Sequence, residues 1–246
     1  MLSEKKDGSM KVLHGRMLSH QDNRKQFFAE QGIVSGRIVN AGLIHGTNVE
    51  IITSQNVTDT VRPSIIGNKG QSGKDTMRGA MVPETDGLVT KETNLFLAVT
   101  VADCLPVFFY DPVAGVVGIA HAGWRGIAGG VIHSVLEKMQ ICGAQVQDMV
   151  VAIGPHIGVC HFEVQADILH QFSQYEQYSI TQEQKIFINL KGIAVEQLRQ
   201  SGILESVIET YPLCTFCEAE RFFSYRRNRP EVLEVMAAMI GMQEKT

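Results

Sequence analysis

The chain of 246 residues, 44% hydrophobic and 20% charged, has the composition of a soluble globular protein and is long enough to bury a sizeable core. Its 22 basic and 26 acidic residues leave a net charge of -4, which gives no electrostatic footprint for nucleic acid or an anionic membrane surface. No apolar run reaches bilayer length, and the charged opening MLSEKKDGSMKVLHG lacks the apolar region of a signal peptide, so a cytoplasmic protein without nucleic-acid or membrane partners is expected. Five cysteines, an odd number, favour reduced thiols over a disulfide framework.

Residues 1–31 are polar, with a helical pattern from Asn23 to Gln31. From Gly32 to Thr53, β-branched residues punctuated by Gly and Asn read as strands and tight turns. Residues 54–83 are glycine-rich and poor in apolar side chains, and read as a long, mobile surface loop. Strands follow at Leu95–Val101, Val107–Tyr110 and Gly115–Ala120, then a helix over Ile127–Met139 with its apolar residues on one side. Met149–Ile153 reads as a buried strand, and Val164–Tyr175 and Ile193–Gly202 as helices around a strand at Ile186–Leu190. The C-terminal part predicts a strand at Arg221–Arg226 and a helix from Glu231 to Gly241. Adjacent hairpins with interspersed helices give an α+β class: one compact domain over 1–246, with a mixed or antiparallel sheet core flanked by helices.

Chemistry concentrates in VADCLPVFFYDPVAGVVGIAHAGWRG, residues 101–126, where Cys104 and His121 each follow an apolar run. Polar groups just past strand ends can share a cleft while the strands hold them rigid. Thiolate and imidazole are both zinc ligands, and a catalytic zinc site typically has three protein ligands and one open position. His45, in Leu43-Ile44-His45-Gly46-Thr47, is the best third candidate. The same two residues could equally be a nucleophile and its base, and a cysteine after a buried strand is commonly a core residue.

The ordered strings TDGLVT (85–90), TVADCLPV (100–107), GIAHAGWRG (118–126), IGPHIGVCHFEV (153–164) and FFSYRR (222–227) closely resemble the YfiH family, also called the laccase-domain or multicopper polyphenol oxidase family. The resemblance runs from about residue 37 to 229. It implies a compact α+β fold and a zinc site formed by His45, Cys104 and His121. It also implies activity on purine nucleosides: phosphorolysis of adenosine, inosine, guanosine or methylthioadenosine, and adenosine deamination. Some bacterial members are associated with peptidoglycan editing. The chain departs from the family pattern in its N-terminal segment, in Leu43-Ile44 before His45-Gly46, and in Asn228-Arg229-Pro230 after the paired arginines.

Within that reading Arg125 is the first choice to hold phosphate, with Arg226 or Arg227 as helpers. Asp103 is expected to act as general acid or base, or to orient a ligand. Trp124 is a candidate for stacking on a base or for packing. His156, Cys160 and His161 show no spacing diagnostic of a second metal site. Cys214 and Cys217 read as a structural thiol pair. Two other functions compete. One is a metal-free cysteine hydrolase or amidase on peptidoglycan precursors, with Cys104 as nucleophile. The other is a copper polyphenol oxidase, which eight histidines without a single His-x-His pair argue against, although copper can occupy a Cys/His site.

Overall fold

The computed structural model describes residues 1–11, 18–33, 37–54 and 80–244. Apart from its two ends, the expected 54–83 loop lies outside the described residues; its last four residues, Ala80–Pro83, form a strand.

Thirteen described strands form three sheets. The largest has six strands in the order β12-β8-β6-β7-β4-β2, made of Val49–Ile52 (β2), Gly87–Thr90 (β4), Leu105–Asp111 (β6), Val116–Ala122 (β7), Val150–Ile153 (β8) and Ile208–Thr210 (β12). The second has four strands in the order β13-β5-β1-β3, made of Ile38–Gly42 (β1), Ala80–Pro83 (β3), Phe96–Val101 (β5) and Met236–Gly241 (β13). A small antiparallel sheet joins Glu163–Val164 (β9), Ser179–Gln182 (β10) and Lys185–Ile188 (β11).

The pleat sends alternate residues to opposite faces, and the core follows that rule. On β5, Leu97, Val99 and Val101 enter the layer between the two large sheets, where they meet Leu88, Val117 and Ile119 of the six-stranded sheet. Phe96 and Ala98 point the other way, onto Phe27 and Phe28 of helix α1 (Leu18–Glu30). The outer face of the six-stranded sheet, including Val89, Val107, Phe109 and Ala120, packs beneath helix α3 (Val131–Ile141) and helix α5 (Leu190–Gln200). Each fully buried aliphatic or aromatic side chain here contributes roughly 1.5–3 kcal/mol. Helix α3 lies close on β7 because Gly118 has no side chain: a Cβ there would sit 3.1 Å from both Met139 and Val135.

Between these elements lie the short helices α2 (Trp124–Gly129), α4 (Ala166–His170) and α6 (Tyr225–Asn228). The α+β class expected from sequence is the observed one, and several element boundaries differ. The 127–139 helix is two helices, α2 and α3, because Gly130 adopts a left-handed φ of 90° between them. The helix expected over 164–175 is only α4, followed by a 3-10 turn at Ser173–Tyr178. The strand expected at 221–226 is instead a buried Phe222-Phe223 pair and an N-cap, Ser224, whose hydroxyl accepts the Arg227 N–H to start α6. The C-terminal helix is strand β13, antiparallel to β5.

Three consecutive connections cross from the four-stranded to the six-stranded sheet: β1 to β2, β3 to β4 and β5 to β6. β1, β3 and β5 are mutually parallel, so the crossings gather at one end of the molecule. β7 runs the opposite way and returns its last residues to that end, pairing Ala120 with Gly87 and Ala122 with Leu105.

Candidate metal centre

Each crossing holds one non-glycine residue at positive φ: His45 (61°), Glu84 (52°) and Asp103 (92°). Conformations of this kind cost energy and concentrate at functional sites. The crossings supply His45, Asp86 and Cys104, and the end of β7 supplies His121. One donor atom from each of His45, Cys104 and His121 lies within 4.8 Å of the other two. His45 is exposed, Cys104 half-buried and His121 buried, so the cluster opens to solvent on one side. The rings of His45 and His121 meet edge-on, centroids 4.8 Å apart and planes at 86°.

Asp86 fixes this arrangement, and sequence reasoning assigned it no role although it stands in TDGLVT. It is fully buried and accepts the backbone N–H groups of His45 (2.9 Å), Gly46 (2.7 Å) and Ile44 (3.3 Å). Its Oδ1 lies 2.9 Å from His121 Nδ1. That bond places the proton on Nδ1 and leaves Nε2 for Cys104 or a cation. Burial works against the Asp86 carboxylate, but the bonds from His121 and these backbone groups hold it below the usual range.

Cys104 and His121 bias one another toward opposite charges. Burial disfavours the thiolate, yet the charge and hydrogen bonds of His121 and His45 draw Cys104 down to about 6. Burial likewise disfavours the imidazolium, and Cys104 with Asp86 raises His121 to about 9. A His₂Cys donor set with a readily formed thiolate suits zinc or copper.

The remaining predicted residues fall into two groups. Arg125 is exposed in the first turn of α2, its guanidinium 4.3 Å over the Trp124 ring, and no described carboxylate pairs with it. Trp124 is half-buried and packs against the main core. Asp103, by contrast, has both oxygens engaged: Oδ1 accepts the Thr215 hydroxyl (2.7 Å) and Oδ2 the Arg226 N–H (2.7 Å). That geometry makes it a brace between the β5–β6 crossing and the 215–226 segment. Arg226 donates to the carbonyls of Glu163 (2.7 Å) and His161 (3.4 Å). Arg227 donates to those of Thr215, Phe216 and Phe222. Both guanidinium groups thus donate to backbone carbonyls around the 215–226 segment.

The C-terminal thiols also differ from expectation. Cys160 and His161 come together with Cys214 and Cys217, while His156 stands apart with Nδ1 on the Gly154 carbonyl.

The family described as "Multi-copper polyphenol oxidoreductase laccase" matches residues 16–243. "Purine nucleoside phosphorylase YlmD" of Geobacillus stearothermophilus is 34% identical over 209 residues, covering 82% of this chain and 71% of the relative. The protein of the same name from Bacillus subtilis is 34% identical over 176 residues, covering 65% and 59%. Among solved structures, Bacillus licheniformis YfiH superimposes with a TM-score of 0.81 at 31% identity, over 94% of this chain and 85% of that one. YlmD of Geobacillus stearothermophilus gives 0.80 at 30% identity, over 99% and 91%.

Proposed function

The chain belongs to the multi-copper polyphenol oxidoreductase laccase family, and on that premise we propose that it is a zinc-dependent enzyme of purine nucleosides. It cleaves adenosine, inosine, guanosine or methylthioadenosine with phosphate and deaminates adenosine at the same site. The observation that carries this reading is the three-donor cluster of His45, Cys104 and His121, with Asp86 behind it. The relatives named purine nucleoside phosphorylase supply the substrate class.

The donor set fits a catalytic zinc ion: three ligands, one of them a ready thiolate, on a face open to solvent. Bound there, zinc would lower the pKa of a water to about 7 and polarise a substrate atom. The chain's own residues do the rest. Asp86 holds His121 in one tautomer and orientation. Arg125, exposed and without a carboxylate partner among the described residues, offers a planar guanidinium to phosphate beside the anomeric carbon. Phosphate oxygen then bonds to C1′ as the bond to the purine nitrogen breaks. In deamination, water oxygen bonds to C6 and ammonia leaves.

One observation favours a second reading, hydrolysis by Cys104. The row Cys104–His121–Asp86 places a lowered-pKa thiol beside a histidine whose far nitrogen is held by a carboxylate. Copper oxidation is disfavoured by the inventory of eight histidines. Metal content, together with release of base and ammonia from each nucleoside with and without phosphate, tests these readings. About one zinc at this cluster, and at least a 100-fold loss of turnover in Cys104→Ala and His121→Ala, is expected. Arg125→Ala should raise the KM for phosphate more than that for nucleoside. Full activity in chelated protein, lost on alkylation of Cys104, would establish the hydrolase instead.

A further inference from the structure

We propose that Cys160, His161, Cys214 and Cys217 form a second metal site, a closed structural zinc centre separate from the His45–Cys104–His121 cluster. One donor atom from each of the four lies within 4.8 Å of the other three. Cys160 Sγ is 3.8 Å from Cys217 Sγ, and His161 Nδ1 is 3.2 Å and 3.4 Å from those two sulfurs. Zinc–sulfur bonds of about 2.3 Å and zinc–nitrogen bonds of about 2.0–2.1 Å give tetrahedron edges of about 3.8 Å between sulfurs and about 3.6 Å between sulfur and nitrogen. The Cys160–Cys217 separation equals the sulfur–sulfur edge, the two sulfur–nitrogen separations fall 0.2–0.4 Å inside theirs, and Cys214 lies within 4.8 Å of all three. A disulfide would need the sulfurs about 2.05 Å apart, and all five cysteines are free.

The surroundings also hold two of the donors in place. The Gly158 N–H donates to Cys214 Sγ at 3.1 Å. The His161 ring is held in place by stacking on Phe216, centroids 3.9 Å apart and planes at 14°. Four protein ligands of the Cys₃His type leave no open position, so the site is structural rather than catalytic.

Its place in the fold gives it a task. The Cys-Thr-Phe-Cys turn carries Thr215, whose hydroxyl holds Asp103 next to Cys104. Arg226 ties the His161 carbonyl to the same carboxylate through its own N–H. The zinc clip therefore steadies the brace behind the first cluster. Its evidence is the geometry of different residues, so it stands whether or not the proposed activity holds.

The test uses the full chain, purified under reducing, chelator-free conditions after growth with zinc. Elemental analysis should find about two zinc ions per chain, and Cys217→Ser or Cys160→Ser should each lose about one. Zinc-edge X-ray absorption of the unaltered chain does not depend on any variant folding. Three sulfurs at one site and one at the other average to about two per zinc. About one zinc bound through three sulfurs would support this site and sink the first. A zinc count unchanged by Cys217→Ser, about one sulfur per zinc, or a Cys160–Cys217 disulfide without metal would overturn it.

Discussion

Asp86 carries four hydrogen bonds on two oxygens, and together they tie the His45 turn and the His121 ring to one buried carboxylate. Three bonds fix the backbone on either side of His45, and the fourth sets the tautomer of His121. An asparagine keeps the shape but replaces one acceptor oxygen with a donor NH₂. That group would face N–H partners and leave at least one of them unsatisfied. Asp86→Asn should therefore lower metal affinity about 10- to 100-fold while the protein remains folded. Competition with a chromogenic chelator reads this directly, and unchanged affinity would remove Asp86 from the site. Cys104 and His121 were legible from sequence because each follows an apolar run that ends at a strand terminus. Asp86 was not, because an Asp-Gly pair before a strand looks like ordinary turn chemistry. Only the crossing of the chain between sheets brings it beneath His121.

At the scale of elements, the turn from β7 into α2 passes close under the cluster. Gly123 has φ -73° and ψ 172°, an extended conformation open to any residue. Its lack of a side chain serves space, not backbone freedom: a Cβ would lie 3.0 Å from Cys104 Sγ and 3.4 Å from the His45 ring. Gly123→Ala should leave thermal stability unchanged or slightly raised, since alanine restricts the unfolded chain. It should displace two of the three donors and cut activity about 10- to 100-fold. A melting curve beside a turnover assay separates these effects; full turnover would show that the ligands yield without cost. Elements with one clear apolar face, such as α3 and α5, could be read from the sequence. Strand β13 could not. Met236, Ala238 and Ile240 enter the layer between the sheets, and Ala237 and Met239 face α1, so both faces are apolar and period-two alternation vanishes. Alanine and methionine then suggest a helix, and pairing with β5 overrides that preference.

For the molecule as a whole, distant segments meet in ways no local spacing announces. Cys160-His161 and the Cys214/Cys217 pair lie more than fifty positions apart. The backbone bridge between His156 and Cys214 is one contact that brings them into register. That bridge also buries His156, which is 3% exposed and donates from Nδ1 to the Gly154 carbonyl. Burial pushes its pKa down to about 4; the Gly154 bond offsets this only in part, and the charge of Lys191 adds to it. The sign for stability follows. An unfolded histidine takes up its proton near pH 6.5, whereas the folded one resists until about 4. As pH falls between those values the unfolded state binds more protons, and stability drops by up to about 1.4 kcal/mol per pH unit. The loss from this residue is of the order of 3 kcal/mol by pH 4 and is absent above about pH 7. His156→Gln keeps a donor for Gly154 without the titration. Urea unfolding of both proteins at pH 7, 5.5 and 4.5 should show the parent losing stability more steeply than the variant. Both carry the same metal-ligating residues, so loss of metal in acid is common to the two. Parallel slopes would mean that His156 takes up its proton in the folded protein and that the buried bridge to Cys214 opens to admit it.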